Sequence, residues 1–162
     1  MTGRTHLMVG ALAGIVVSQL HHDQALIVPA LVGALGGILP DIDHPQSMIS
    51  GFVPGSGLIH SVISHRGPTH TLLFLLIVIG GMVAAGLPGA LVVTLAAGMV
   101  LHLLCDMATP RGVRLLMPLH YGAWRLLPGG VLSLPGAAWA LETLVAAGAL
   151  VGIVAIAAAR ML

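Results

Sequence analysis

Residues 89–106, GALVVTLAAGMVLHLLCD, decide how the rest of the chain is read. Up to His102 the run carries no ionisable side chain, and it shows none of the strict alternation of a half-buried strand. In lipid an open sheet leaves backbone groups unsatisfied, so a run this apolar is expected as an α-helix. Only its end is polar. His102 and Asp106 stand four residues apart, the spacing that stacks two side chains on one helix face, one turn from each other. Two ligands so placed can share one ion.

Four further apolar stretches lie outward from this one, at about residues 7–20, 25–39 (with Pro29 inside), 71–87 and 137–159. The composition agrees with a membrane setting. Of 162 residues, 57% are hydrophobic and 7% charged, against about a quarter charged in soluble domains. That contrast argues against a soluble enzyme, and a formal net charge of +1 gives no footprint for nucleic acid. The expected fold is all-α: a single integral membrane domain over residues 1–162, a polytopic bundle of about five transmembrane helices with site-bearing loops on one face. The first two stretches are short for a hydrocarbon core of ~30 Å. Gly10 with Gly14, Gly33 with Gly37, and Gly148 with Gly152 have the spacing that lets helix backbones approach in lipid. A secretory signal is the competing reading of the first stretch, which follows Arg4. The lone Cys105 forms no internal disulfide and reads as a small buried residue.

Five spans would put Arg4, Arg66, Arg111, Arg114 and Arg125 on one side and Arg160 on the other. The excess of positive charge in cytoplasmic loops then sets the N-terminus in the cytoplasm of a multi-pass inner (plasma) membrane protein.

The same topology sorts the scarce polar residues. His6 opens the first helix; Asp41, Asp43 and His44 follow the second; His65 and His70 lie just before the third; His102 and Asp106 end the fourth. All eight fall at one membrane face, although ionisable groups near lipid are costly. Asp41 and Asp43 follow Pro40, as in a chain leaving its helix extended, where alternate side chains point the same way. Pro68 suits the start of the third helix. His21, His22 and Asp23 lie on the opposite face and read as an ordinary polar turn. His60 and His120 belong to the correct face but to long loops, and Glu142 is either a partner orienting a ligand histidine or a packing contact. Eight nitrogen and oxygen ligands exceed the four that one Zn²⁺ takes, so two divalent transition-metal ions are expected. Imidazole and carboxylate without thiolate suit zinc, or else manganese or iron. Residues 45–64 read as a lid or re-entrant segment, and Tyr121, Trp124 and Arg125 as an interfacial anchor.

The order Thr5-His6, Leu39-Pro40-Asp41-Ile42-Asp43-His44-Pro45, His65-Arg66-Gly67-Pro68-Thr69-His70, His102 to Asp106, then Thr109-Pro110-Arg111-Gly112-Val113 and Pro118, resembles the YdjM-like family. These are inner-membrane proteins regarded as metal-dependent hydrolases. The resemblance runs from His6 to about Pro118 and implies His6, Asp41, Asp43, His44, His65, His70, His102 and Asp106 as metal positions. The HxxxD element is also distantly similar to the zinc-dependent phospholipase C and P1 nuclease group, which cleaves phosphoesters with metals held among helices. The expected activity is hydrolysis of a phosphoester in a lipid or lipid-like substrate at the cytoplasmic interface, with membrane lipids as partners and no nucleic acid. Asp41, Asp43 or Asp106 would bridge metals or take a proton from water, and Arg66 would grip a phosphate oxygen. Two alternatives differ in kind. A non-catalytic metal-stabilised scaffold or interaction protein needs the same ligands, and a cation transporter would want them near the bilayer midplane.

Overall fold

The computed structural model describes residues 1–21, 26–44, 47, 49–50, 67–127 and 136–160. Among these, the fold is all-helical: α1 (Gly3–Leu20), α2 (Ile27–Ile38), α3 (Leu72–Ala84), α4 (Gly89–Met107) and α5 (Ala137–Ala159). Short 3₁₀ turns occupy Leu39–Asp43 and Pro68–His70. Each apolar stretch became one helix, and α1 starts early enough to include Thr5 and His6.

By length and composition, two of the five can cross a membrane, α4 and α5. The other three do not meet that measure. At ~1.5 Å per residue, α2 and α3 are only about 18 and 20 Å long, well short of a ~30 Å core.

Helices α1, α2 and α4 form the tight centre of the molecule, and glycine is the reason. The carbonyl oxygen of Gly33 on α2 occupies the space where a Cβ of Gly10 on α1 or of Gly98 on α4 would stand. Gly37, one turn on, lies the same way against the backbone of His6 and Gly10. Any side chain at these positions would force the helices apart, so the first two glycine pairs pack as their spacing suggests. The third does not: Gly148 faces open space, and Gly152 meets only the side chain of Leu12.

Met99 and Leu95 of α4 join Leu75 of α3 in the apolar core, flanked by Val32 and Phe74. A second cluster, Leu103, Met107 and Val113, fastens the segment after α4 to its end. There Val113 and Trp124 exchange backbone hydrogen bonds of 3.0 and 2.8 Å. Helix α5 buries only Ala149 and leaves Trp139, Leu144, Leu150, Val151 and Val154 exposed. An apolar surface of that extent calls for lipid or a protein neighbour.

Two local expectations are corrected. Asp41 and Asp43 sit in a 3₁₀ turn with Pro40 near its start, not in an extended exit. Pro68 begins its own turn, and α3 starts at Leu72, capped by Thr71, whose Oγ1 accepts from Phe74 N at 3.1 Å.

Candidate metal centre

Four chain segments deliver ionisable side chains to one end of this bundle. His6 comes from the first turns of α1, Asp41 and Asp43 from the turn after α2, His70 from the turn before α3, and His102 and Asp106 from the end of α4. His21, at the other end of α1, lies instead beside Val28 and Ala90 at the starts of α2 and α4. Five of the six side chains are at most 2% exposed, and Asp41 is the most open at 14%.

The distances suit a cation. His70 Nε2 lies 3.2 Å from His102 Nε2, 3.4 Å from Asp41 Oδ1 and 3.7 Å from Asp106 Oδ2. His102 Nε2 lies 3.8 Å from Asp41 Oδ1 and 3.9 Å from Asp106 Oδ2. Ligands ~2.1 Å from one tetrahedral ion stand about 3.4 Å from each other, so these separations need little adjustment. Three overlapping groups keep one potential ligand atom per residue within 4.8 Å of the others: His6, Asp41 and His102; His70, His102 and Asp106; Asp41, Asp43 and His70.

Two observations test whether these residues fit a metal. His102 Nδ1 is 2.6 Å from the Gly37 carbonyl oxygen. A carbonyl only accepts, so Nδ1 carries the hydrogen and the lone pair of the neutral ring sits on Nε2, facing the cluster. His6 is the second. Its ring stacks on His102 with centroids 3.8 Å apart. Neither of its nitrogens has a hydrogen bond, although Nε2 is 3.2 Å from Asp106 Oδ1. A buried ring nitrogen without a hydrogen bond costs about 1–3 kcal/mol, which a bound ion would relieve. The donor set fits.

Charge points the same way. The Met1 amino group, 2.8 Å from Asp106 Oδ1, offsets one carboxylate, and a divalent ion suits the remainder. Burial raises the Asp41 carboxyl, but the neighbouring imidazoles of His70, His102 and His6 outweigh it and hold the group down at about 2. Asp41 is therefore ionised and ready to act as a ligand at neutral pH.

Not every candidate arrives. His44 follows the 3₁₀ turn in extended conformation, its backbone N donates to Asp41 O at 2.9 Å, and its side chain joins none of the three groups. His120 is exposed beside Gly122 and also stays out. Glu142 proves to be a packing contact: its Oε1 accepts from Thr2 N at 2.8 Å and from Thr5 Oγ1 at 2.9 Å, tying α5 to α1. His60, His65 and Arg66, with nearly all of the 45–64 lid, lie outside the described residues. Sequence reasoning gave no role to Thr69, whose hydroxyl bonds Asp43 Oδ2 at 2.7 Å, or to the Gly37 carbonyl. Thr69 stands inside the quoted histidine motif. The carbonyl leaves no mark in a sequence.

The family model of the YdjM inner membrane protein matches residues 1–161. The Bacillus subtilis (strain 168) protein YvsG, described as uncharacterized, is 37% identical over 120 residues, covering 73% of this chain and 74% of that protein. Inner membrane protein YdjM of Escherichia coli (strain K12) is 36% identical over 101 residues, 59% of this chain and 50% of that protein, and YdjM of Shigella flexneri matches equally. The matched region thus spans half the length of the latter two. No solved structure matches the chain, and the similarity to the phospholipase C and P1 nuclease group finds no support among these relatives. Because the family match takes in every side chain of the buried cluster, the chain belongs to the YdjM inner membrane protein family.

Proposed function

We propose that this chain is a multi-pass, metal-dependent hydrolase of the inner membrane, cleaving a phosphoester in a lipid or lipid-like substrate at the cytoplasmic surface. The observation that carries the reading is the convergence of three imidazoles and three carboxylates from four segments at one end of an apolar bundle. Two divalent ions, zinc first and manganese or iron as alternatives, would supply a water of lowered pKa and neutralise charge developing on the phosphoryl oxygens.

The chain's own residues divide the remaining work. His102, set by the Gly37 carbonyl, presents Nε2. Asp41 belongs to two of the ligand groups, and its partial exposure suits it to receive a proton from water. Asp106 faces both His70 and His102. Arg66 keeps the role of gripping a phosphate oxygen.

Position supports the lipid part. The cluster lies where helices end, which in a spanning bundle would be near headgroup depth, and exposed Tyr121 and Trp124 on the segment fastened to the end of α4 suit an interfacial anchor. A groove of about 480 Å³ between α1 and α5 is lined by Arg4, Thr5, Met8, Trp139 and Leu150, an apolar wall with a polar end. Multi-pass topology rests on α1 and α2 packing along α4, which is itself long enough to span.

A panel of labelled phospholipids in nanodiscs, with Zn²⁺ or Mn²⁺, tests the activity. Headgroup or phosphate release by the wild type, lost in a folded Asp41→Asn variant, is expected; no release from any lipid counts against it. The near-complete burial of five ligands favours a second reading, a metal-stabilised scaffold. Asp43→Ala separates the two: a scaffold loses its fold with its metal, whereas an enzyme loses turnover and stays folded.

A further inference from the structure

Thr69 is 5% exposed and carries a single hydroxyl hydrogen. Asp43 Oδ2, 2.7 Å away, only accepts, so that hydrogen goes to the carboxylate. The other contact of Thr69 Oγ1 is His70 Nδ1 at 3.1 Å. With its hydrogen spent, the oxygen accepts there, and the hydrogen belongs to Nδ1. Asp43 Oδ2 itself lies 3.7 Å from the same nitrogen, on the same side of the ring. His70 in its neutral form then holds its lone pair on Nε2, which faces His102 Nε2 at 3.2 Å. The His102 lone pair is turned to that point by Gly37. Two lone pairs at that distance repel unless a cation stands between them.

We propose that Thr69 is a positioning residue that makes His70 an Nε2 metal ligand, relaying the charge of Asp43 to the far side of the ring. The inference rests on the metal reading above and sharpens it: Asp43 acts through Thr69 on the back of His70, while Asp41 and Asp106 approach the ligating nitrogen. The turn is built for this duty. Thr71 Oγ1 donates to Pro68 O at 2.7 Å and His70 N donates to Gly67 O at 3.2 Å, so the turn that carries Thr69 is braced on both sides of it. Carboxylate partners of ligand histidines fix ring orientation and raise basicity, and losing one typically weakens metal binding by about 10- to 100-fold.

The test is a Co²⁺ titration of chelator-treated full-length protein in nanodiscs, read by d–d absorption, on wild type, Thr69→Val and Thr69→Ser. Valine keeps the shape and removes the hydroxyl, and is expected to weaken Co²⁺ binding by about 10- to 100-fold, while serine stays close to wild type. Equal affinity of wild type and Thr69→Val overturns the role of Thr69 and leaves the metal site standing. A wild type that takes up no Co²⁺ overturns the metal reading, and this proposal with it. Should Thr69→Val fail to fold, the wild type decides alone. With ¹⁵N-labelled histidine and Cd²⁺, the His70 signal, assigned by its loss in His70→Asn, is expected to couple to the metal through Nε2; coupling through Nδ1 overturns the proposal.

Discussion

His70 and His102 point their Nε2 atoms at each other across 3.2 Å, although they come from different segments and 32 residues separate them. With the Nδ1 atoms of both rings turned to oxygen partners, a cation shared by the two Nε2 atoms accounts for that arrangement. Removing the metal should therefore loosen the end of the bundle where α1, α2 and α4 meet. Ligand linkage stabilises a native state by about 2.7 kcal/mol at a hundredfold excess over Kd. Chelator treatment is expected to lower the thermal midpoint in detergent, and Zn²⁺ to restore it. His102→Ala should abolish the restoration. A midpoint indifferent to both chelator and Zn²⁺ would count against a metal at this place.

Gly37 serves the packing and the site at once. Its Cα side lies against the His6 and Gly10 backbone, and its carbonyl holds His102 Nδ1 at 2.6 Å. Gly37→Ala should cost about 1–3 kcal/mol through overpacking and also reduce metal content. Gly33→Ala should cost a similar amount through Gly10 and Gly14 with a smaller effect on metal. Gly148→Ala, in open space, should stay within about 0.5 kcal/mol. Unfolding curves paired with elemental analysis of the three variants separate these effects.

The contrast between Gly37 and His102 also marks where sequence stops being informative. His102 and Asp106 were legible because helix geometry converts a four-residue spacing into one face. Gly37 was legible as a small packing residue, but which carbonyl meets His102 follows from how α2 lies on α4. Asp41 and Asp43 were legible as neighbours of the cluster but not in their local geometry, since a 3₁₀ turn rather than an extended chain brings them to His70. The same turn explains His44, which follows it in extended conformation. Hydropathy located all five helices and marked the second as short for a bilayer, but not the 3₁₀ turn at Leu39 that shortens it further.

Acid should reveal Asp41. The neighbouring imidazoles hold its carboxyl down at about 2 in the folded chain, below the ordinary aspartate value of about 3.9. A depressed carboxylate contributes stability that is present above its unfolded pKa and lost as pH falls through the folded one. In metal-free protein the contribution is on the order of 2 kcal/mol, and it disappears between about pH 4 and pH 2. Asp41→Asn should lack that component, so its stability should fall less steeply over the same window. Denaturant midpoints of the two proteins from pH 5 to pH 2 provide the check, and parallel curves would show that Asp41 is not held down by the imidazoles.

The topology follows from where α5 begins. Ala138 and Leu141 line a cavity with Met1, Ala108 and Thr109, so the helix starts at the metal end. It runs 23 residues to Ala159, about 34 Å at ~1.5 Å per residue, enough to carry Arg160 to the opposite face. Arg4, Arg111, Arg114 and Arg125 stay behind on segments near the cluster. If the bundle crosses five times as proposed, the positive excess would put the cluster in the cytoplasm and the C-terminus outside. A reporter that works only in the cytoplasm is expected to be active when fused at the N-terminus and silent at the C-terminus, with an export-dependent reporter giving the reverse. Activity of the cytoplasmic reporter at both ends would mean an even number of crossings. One of the short helices α1 to α3 would then be lying in the membrane without spanning it, and the cluster would keep its side while α5 lost its role as the last span.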